Sequence, residues 1–128
     1  MLRNVMIVLA VVAGLAFALH GVQLPAPNSN GQPASYHGTY TDSLGYVDPA
    51  TYHDDDGDGD IDRITKWDRW GHYFEWTWNP DTNRYELDGD EGVIQPVDVT
   101  TGDPESVSWH GTGGIGVVSG TYSKLPMF

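Results

Sequence analysis

Residues 61–78 read IDRITKWDRWGHYFEWTW, and this stretch decides the fold. Aromatic rings stand at every second position of its latter half, at Phe74, Trp76 and Trp78. A period of two residues places these rings on one face of a β-strand. The glycine-containing segment 69–71 separates them from a β-branched and aromatic run that begins at Ile61. We therefore predict a β-hairpin with strands at 61–68 and 72–78, its aromatic face either packed in a core or presented as a surface for a ligand or partner.

Short β-prone runs between turn residues continue on the carboxyl side of this hairpin. Asn79 to Arg84 is a turn, because Pro80 suits its second position and Asn83 tolerates a left-handed backbone. After residue 25 we find no helical period with caps, so we predict an all-β domain of meander, sandwich or barrel type. Its core is aromatic, with Trp70 and Trp109 as candidates for exposure. Further strands are expected at 85–87, 93–94, 106–110 and 116–122.

The residues immediately before the hairpin form an acidic loop. The segment His53 to Asp62 reads HDDDGDGDID and places six carboxylates in nine residues. Such blocks of like charge are otherwise solvated and disordered, so a bound cation is the simplest reason for this one. Calcium takes six to eight oxygens and needs a backbone that curls around it. We predict a Ca²⁺ site formed by the side chains of Asp54, Asp56, Asp58 and Asp62 with the carbonyl of Asp60.

With Gly59 at the bend, this loop resembles the calcium loops of EF-hand proteins, thrombospondin type 3 repeats, dockerin-like modules and integrin-type β-propellers. The resemblance implies calcium and leaves the biological role open. It covers about a tenth of the chain. The twelfth position is Thr65, where an EF-hand has a chelating glutamate, so modest affinity is expected. Water or the second acidic cluster, Asp88 to Glu91, could complete the ligand set.

Charge and cysteine content restrict the classes of function. The formal net charge is −12, and all eighteen acidic residues follow position 41. Nucleic acids are bound mainly by Lys and Arg on phosphates, so we expect no nucleic-acid partner. The chain has no cysteine, which excludes disulfides and thiolate metal sites. A small exported domain then needs another staple, and a metal ion is one.

The amino terminus indicates export. Residues 1–24 contain the uncharged run from Val5 to Leu19 after Arg3. With His20 and Gln23 near an interface, the segment from Val5 to Leu24 would be about long enough to cross a bilayer. It is therefore either a retained transmembrane anchor with Arg3 on the cytoplasmic side or a signal peptide cleaved after Ala18. Residues 25–35 hold three prolines and are predicted to be a linker to the β-domain at 36–128.

No catalytic constellation emerges from the remaining residues. Ser106, Ser108 and His110 lack a nucleophile elbow, and Gly111 to Gly116 lacks the lysine of a phosphate loop. We therefore expect a non-catalytic protein with no organic cofactor.

The function expected from these features is structural. The leading hypothesis is a calcium-binding accessory subunit of a membrane protein complex, periplasmic or at the cell surface and anchored by residues 5–24. A secreted subunit of an extracellular filament or surface layer, paired with copies of itself, is the second hypothesis. A carbohydrate-binding module that uses exposed tryptophans is the third.

Overall fold

Eight antiparallel β-strands form a closed barrel in the computed structural model, which describes residues 21–87 and 92–127. Each strand pairs with its neighbours in chain order, so the connections are simple up-and-down turns. This confirms the all-β prediction and selects the barrel among its alternatives. The strands are β1 (Ala34–Thr41), β2 (Val47–Asp54), β3 (Arg63–Trp67), β4 (Tyr73–Asn79), β5 (Arg84–Leu87), β6 (Val93–Thr100), β7 (Ser106–Thr112) and β8 (Val117–Ser123).

The predicted hairpin is β3 and β4, paired so that Ile64 lies opposite Trp76. Trp76 is buried, and Phe74 and Trp78 pack against the core. The prediction for Trp109 was wrong, because this side chain is 3% exposed. Its Nε1 donates to the Tyr52 hydroxyl at 3.1 Å inside the barrel.

Two similar tripeptides, Gly-Thr-Tyr at 38–40 and at 120–122, close the barrel where β1 meets β8. They pair antiparallel, with Gly38 opposite Tyr122 and Gly120 opposite Tyr40. A Cβ at Gly38 would lie 2.7 Å from the Tyr122 Cβ, far inside van der Waals contact. Gly38 therefore makes room for Tyr122 of the opposite strand, and Gly120 makes room for the Tyr52 hydroxyl and the Trp109 indole nitrogen inside the barrel.

The turns divide between two ends of the barrel. The β1–β2, β3–β4 and β7–β8 turns lie at one end, and the loops after β2, β4 and β6 lie at the other. Because β2 ends at Asp54, the acidic loop at 55–62 belongs to the second end. We call these the apolar end and the acidic end, for reasons given below.

Residues 21–33, here called the strap, cover the acidic end. Leu24 is fully buried, and Ala26 is 3% exposed. Hydroxyls of interior tyrosines bind the strap backbone: Tyr85 accepts from the Leu24 N–H, Tyr122 donates to the Pro25 carbonyl, and Tyr36 donates to the Pro27 carbonyl. Tyrosine suits this role because its ring is apolar and its tip is polar.

The strap bears on two expectations about the amino-terminal region. Residues 21–24, the end of the predicted membrane segment 5–24, are not helical. Part of the predicted linker is packed on the barrel. Tyrosine hydroxyls hold it through its backbone carbonyls, and such contacts produce no apolar period in the sequence. Within the two described ranges, no helix is long and apolar enough to cross a membrane; residues 1–20 lie outside them.

Candidate metal centre

Four carboxylates of the acidic loop converge as predicted. One oxygen from each of Asp54, Asp56, Asp58 and Asp62 lies within 4.8 Å of all the others. Ligands on opposite sides of a calcium ion, each at 2.3–2.6 Å, stand about 4.6–5.2 Å apart. The oxygen positions are therefore compatible with one shared ion. An all-oxygen set favours a hard cation such as Ca²⁺ or Mg²⁺ over zinc or copper.

Two glycines let the backbone turn around this cluster. Gly57 and Gly59 have φ values of +73° and +92°, which lie in the region that residues with a Cβ rarely adopt. The N–H groups of both donate to Asp54, at 2.9 Å each. Asp56 and Asp58 likewise accept from the N–H two residues ahead. Hydrogen bonds within the loop thus direct its carboxylates inward without a bound cation.

Asp54 is the carboxylate of the cluster that most needs a positive charge nearby, because it is buried. It ends β2 and is fully buried, although burial of a carboxylate is costly unless the charge is balanced. No Lys, Arg or His of the described residues forms a salt bridge with it. Backbone N–H groups supply its hydrogen bonds, and an ion shared with Asp56, Asp58 and Asp62 would supply the charge.

Arg63, the cationic residue that follows the loop, pairs with carboxylates outside the cluster. Its guanidinium binds both oxygens of Asp55 at 3.1 Å and one oxygen of Glu75 at 3.0 Å. Asp55 is consequently the one aspartate of 54–56 that does not face the cluster. This pairing leaves the four converging carboxylates without an internal counter-charge from Arg63.

Burial, together with the charges of Asp56, Asp58 and Asp54, raises the pKa of Asp62 from 3.8 to about 6, against the lowering effect of a hydrogen bond from the Asp55 N–H. Burial also raises the pKa of Asp60, with added repulsion from Asp54 and Asp56. Both shifts have the direction expected where like charges are crowded. A divalent cation would reverse this repulsion.

The acidic loop and the strap are joined through their backbones. The Ile61 N–H donates to the Leu24 carbonyl, and the Ala26 N–H donates to the Gly59 carbonyl, both at 2.7 Å. Gly57 lies so close to the strap that a Cβ there would be 2.6 Å from the Gly31 carbonyl carbon. Ile61 itself is fully buried in the core. A change in the loop is therefore transmitted to the cover of the barrel.

Three other sequence expectations concern this site. Thr65 lies on β3, and its Oγ1 is 2.8 Å from His53 Nε2, so the loop is followed by a strand and not by a helix. The Asp60 side chain is not part of the converging group, and its carbonyl stays a predicted ligand. Asp88 to Glu91 lie outside the described residues; the flanking Leu87 and Gly92 are at the apolar end.

Sequence reasoning missed the strap as a partner of the loop. The signal available was Leu24, an apolar residue directly before the proline-rich segment and predicted to end the amino-terminal apolar stretch. Its burial depends on the hydroxyl of Tyr85, 61 residues away, and a contact at that separation leaves no local pattern.

The fold and site together define a small antiparallel barrel with an acidic loop at one end. No protein-family model matches the chain, and no curated protein matches it. Among solved structures, it is similar to a redesigned β-barrel, with a TM-score of 0.51 and 15% identity over 80% of this chain and 97% of that one. A de novo designed fluorescence-activating β-barrel matches at a TM-score of 0.48 and 15% identity, over 76% and 96% of the two chains. The first likeness shows the barrel fold alone.

Proposed function

We propose that this chain is an exported, non-catalytic structural protein whose barrel is stabilised by one calcium ion, and that it serves as a subunit of a cell-surface or extracellular assembly. The observation that carries the proposal is the convergence of Asp54, Asp56, Asp58 and Asp62 within 4.8 Å. The ion acts as a staple, because the same loop is bonded to the strap and continuous with the buried Ile61. A domain without disulfides gains most from such a staple outside the cytoplasm.

The packed strap bears on how the chain is exported. Leu24 belongs to the barrel core, which limits the uncharged apolar run to Val5–Leu19, fifteen residues. That run is shorter than the ~20 residues needed to span a bilayer and matches the apolar part of a signal peptide. The proposal therefore favours cleavage after Ala18 over the retained anchor. Mass spectrometry of the native protein would then find a mature start at Leu19, and a start at Met1 with membrane fractionation would restore the anchored accessory subunit.

Calorimetry tests the metal. Calcium titrated into the wild-type protein should bind with one-site stoichiometry and a Kd of ~10⁻⁴–10⁻³ M, the range of extracellular modules. Asp56→Asn combined with Asp58→Asn should abolish this heat. Asp60→Asn is the matched control, because it removes one charge from the same loop and leaves the predicted carbonyl ligand in place. Equal affinities for the double variant and the wild type would refute the site, and loss of binding in the control would reassign Asp60 as a side-chain ligand.

A further inference from the structure

The apolar end carries a concentration of exposed apolar side chains. Of the twelve large apolar residues exposed in the described part of the chain, eight lie in or beside the turns of this end. We call them the apolar crown. Its members are Leu44, Tyr46, Val47, Trp67, Trp70, Tyr73, Ile115 and Val117. Single exposed apolar residues need no explanation, whereas a contiguous group of them marks an interaction site.

A cavity of about 260 Å³ opens inside the apolar crown. Its walls include the rings of Tyr40, Phe74 and Trp76, and Leu44 and Ile115 stand at its rim. Trp76 stacks on Tyr40 with ring centroids 5.3 Å apart and on Phe74 at 5.7 Å. The volume lies just below the 300–1,000 Å³ of pockets for drug-sized ligands. A flat molecule of one or two rings is the class of ligand that fits it.

The polar group of this cavity is the ammonium of Lys66. The Lys66 side chain is 7% exposed, and its Nζ donates to Asp48 Oδ2 at 2.8 Å. The same Nζ is 5.0 Å from the Tyr40 ring centroid and 5.1 Å from that of Phe74. An ammonium has three N–H donors, so the salt bridge leaves donors for a ligand that enters between these rings.

The remaining donors of Lys66 favour an anionic ligand. The charges in and beside the cavity balance, because Lys66 and Arg69, which lies 4.0 Å from the second oxygen of Asp48, stand against Asp48 and the lining residue Asp42. The Asp42 Oδ1 already accepts from the Leu44 and Tyr46 N–H groups at 3.0 Å, whereas the Lys66 ammonium has one carboxylate partner, Asp48. A buried cation beside aromatic walls recognises an apolar molecule with one acidic group.

We propose that the apolar end binds a small aromatic or apolar carboxylate, with its ring against the cavity wall formed by Tyr40, Phe74 and Trp76 and its carboxylate on Lys66 Nζ. This site is independent of the calcium site, because the two occupy opposite ends of the barrel. Leu44 and Ile115 at the rim extend the surface on which the outer part of such a molecule packs.

The test compares three probes on the calcium-loaded protein as isolated after export. The probes are 2-naphthoate, the uncharged 2-naphthamide and the cationic 2-naphthylmethylammonium. The wild-type protein should bind 2-naphthoate at least about tenfold tighter than the amide, as expected for a hydrogen bond to a charged group, and should bind the cation weakest. Fluorine NMR of 5-fluorotryptophan-labelled protein should show the Trp76 signal shifting, while those of Trp67 and Trp70 move little.

Two variants distinguish specific binding in the cavity from nonspecific binding to the exposed apolar surface. Lys66→Met with Asp48→Leu replaces the whole buried pair, which preserves folding better than removing one partner, and should abolish the preference for naphthoate over naphthamide. Trp67→Ser, which changes the apolar crown outside the cavity, should leave that preference unchanged. An undiminished preference in the double variant, or no saturable binding by the wild type up to the millimolar range, would overturn the proposal. So would a dimer in sedimentation velocity that Trp67→Ser abolishes, because it would assign the crown to a second copy of this chain.

Discussion

The two ends of the barrel each bury an aspartate, and they differ in the source of its counter-charge. At the acidic end, Asp54 is fully buried among other carboxylates, and its balance is assigned to a metal ion. At the apolar end, Asp48 is 6% exposed and is balanced by Lys66 at 2.8 Å. Both aspartates point inward from the same strand, β2. The apolar end therefore contains its own counter-charge, whereas the acidic end would take one from the solution.

The largest expected effect comes from breaking the internal pair. Lys66→Met should lower the free energy of unfolding by about 3–5 kcal/mol, because it leaves the Asp48 charge buried beside apolar groups. Lys66→Met with Asp48→Leu should restore most of that loss. Urea denaturation of both variants measures the difference. If the single variant is as stable as the double one, Arg69 at 4.0 Å is a sufficient partner and the apolar end is less dependent on Lys66 than we infer.

Calcium removal should have the next largest effect, and only through the acidic end. An ion present at 100 times its Kd stabilises the folded state by about 2.7 kcal/mol. Excess chelator should therefore lower the Tm by about 10 °C or more for a domain of this size. Differential scanning calorimetry with and without chelator measures the shift. The Asp56→Asn, Asp58→Asn double variant should melt at the same temperature in both buffers, and a chelator-sensitive melt in that variant would place the ion elsewhere.

A smaller effect is expected from protons in the calcium-free protein. The pKa of Asp62 is raised from 3.8 to about 6 in the fold, so between these values the folded state binds more protons than the unfolded state. Stability contributed by this group is thus full below pH 4 and is lost as the pH rises towards 6. Relative to the wild type, Asp62→Asn should flatten that pH dependence in urea titrations.

Asp81→Asn is the matched control, since Asp81 is exposed in the β4–β5 turn. It should keep the wild-type slope. With saturating calcium the dependence of the wild type should reverse, because protons then compete with the ion. Identical slopes for the wild type and Asp62→Asn without calcium would contradict the crowding of carboxylates at this end.

The smallest change in stability is expected at the surface of the apolar end. Trp67 is 61% exposed and packs on Tyr73 with ring centroids 5.0 Å apart. Trp67→Ser should alter the free energy of unfolding by roughly 0.5 kcal/mol, the usual range for surface positions. It should nevertheless shorten retention on a hydrophobic-interaction column. An unchanged retention time would mean that Trp67 does not contribute to the apolar crown.

The acidic loop was predictable because it is local. Asp54, Asp56, Asp58 and Gly59 lie within six residues, and their spacing alone places the carboxylates together. The β3–β4 hairpin was predictable for the same reason, since a period of two fixes which face each ring occupies. The same argument could have predicted the position of Lys66. This residue is two positions after Ile64 and lies opposite Phe74, so the period of two places its side chain inside the barrel.

Contacts between distant segments were not predictable from local patterns. The burial of Trp109 depends on Gly120 in the next strand, where a Cβ would lie 2.5 Å from the indole nitrogen. The two Gly-Thr-Tyr tripeptides were visible as a similarity, but nothing in either one indicates that they pair with each other. The strap depends in the same way on tyrosines supplied by β1, β5 and β8.

The seam between β1 and β8 has a consequence for the order of folding. Tyr122, on the last strand, donates to the Pro25 carbonyl across a separation of 97 residues, so neither the seam nor the cover of the acidic end can form until the whole domain has emerged. Folds dominated by such non-local pairing acquire their structure in milliseconds to seconds, much more slowly than isolated hairpins. A chain that crosses the membrane unfolded would remain unfolded throughout its passage. It would complete its last contacts only on the side where calcium is supplied.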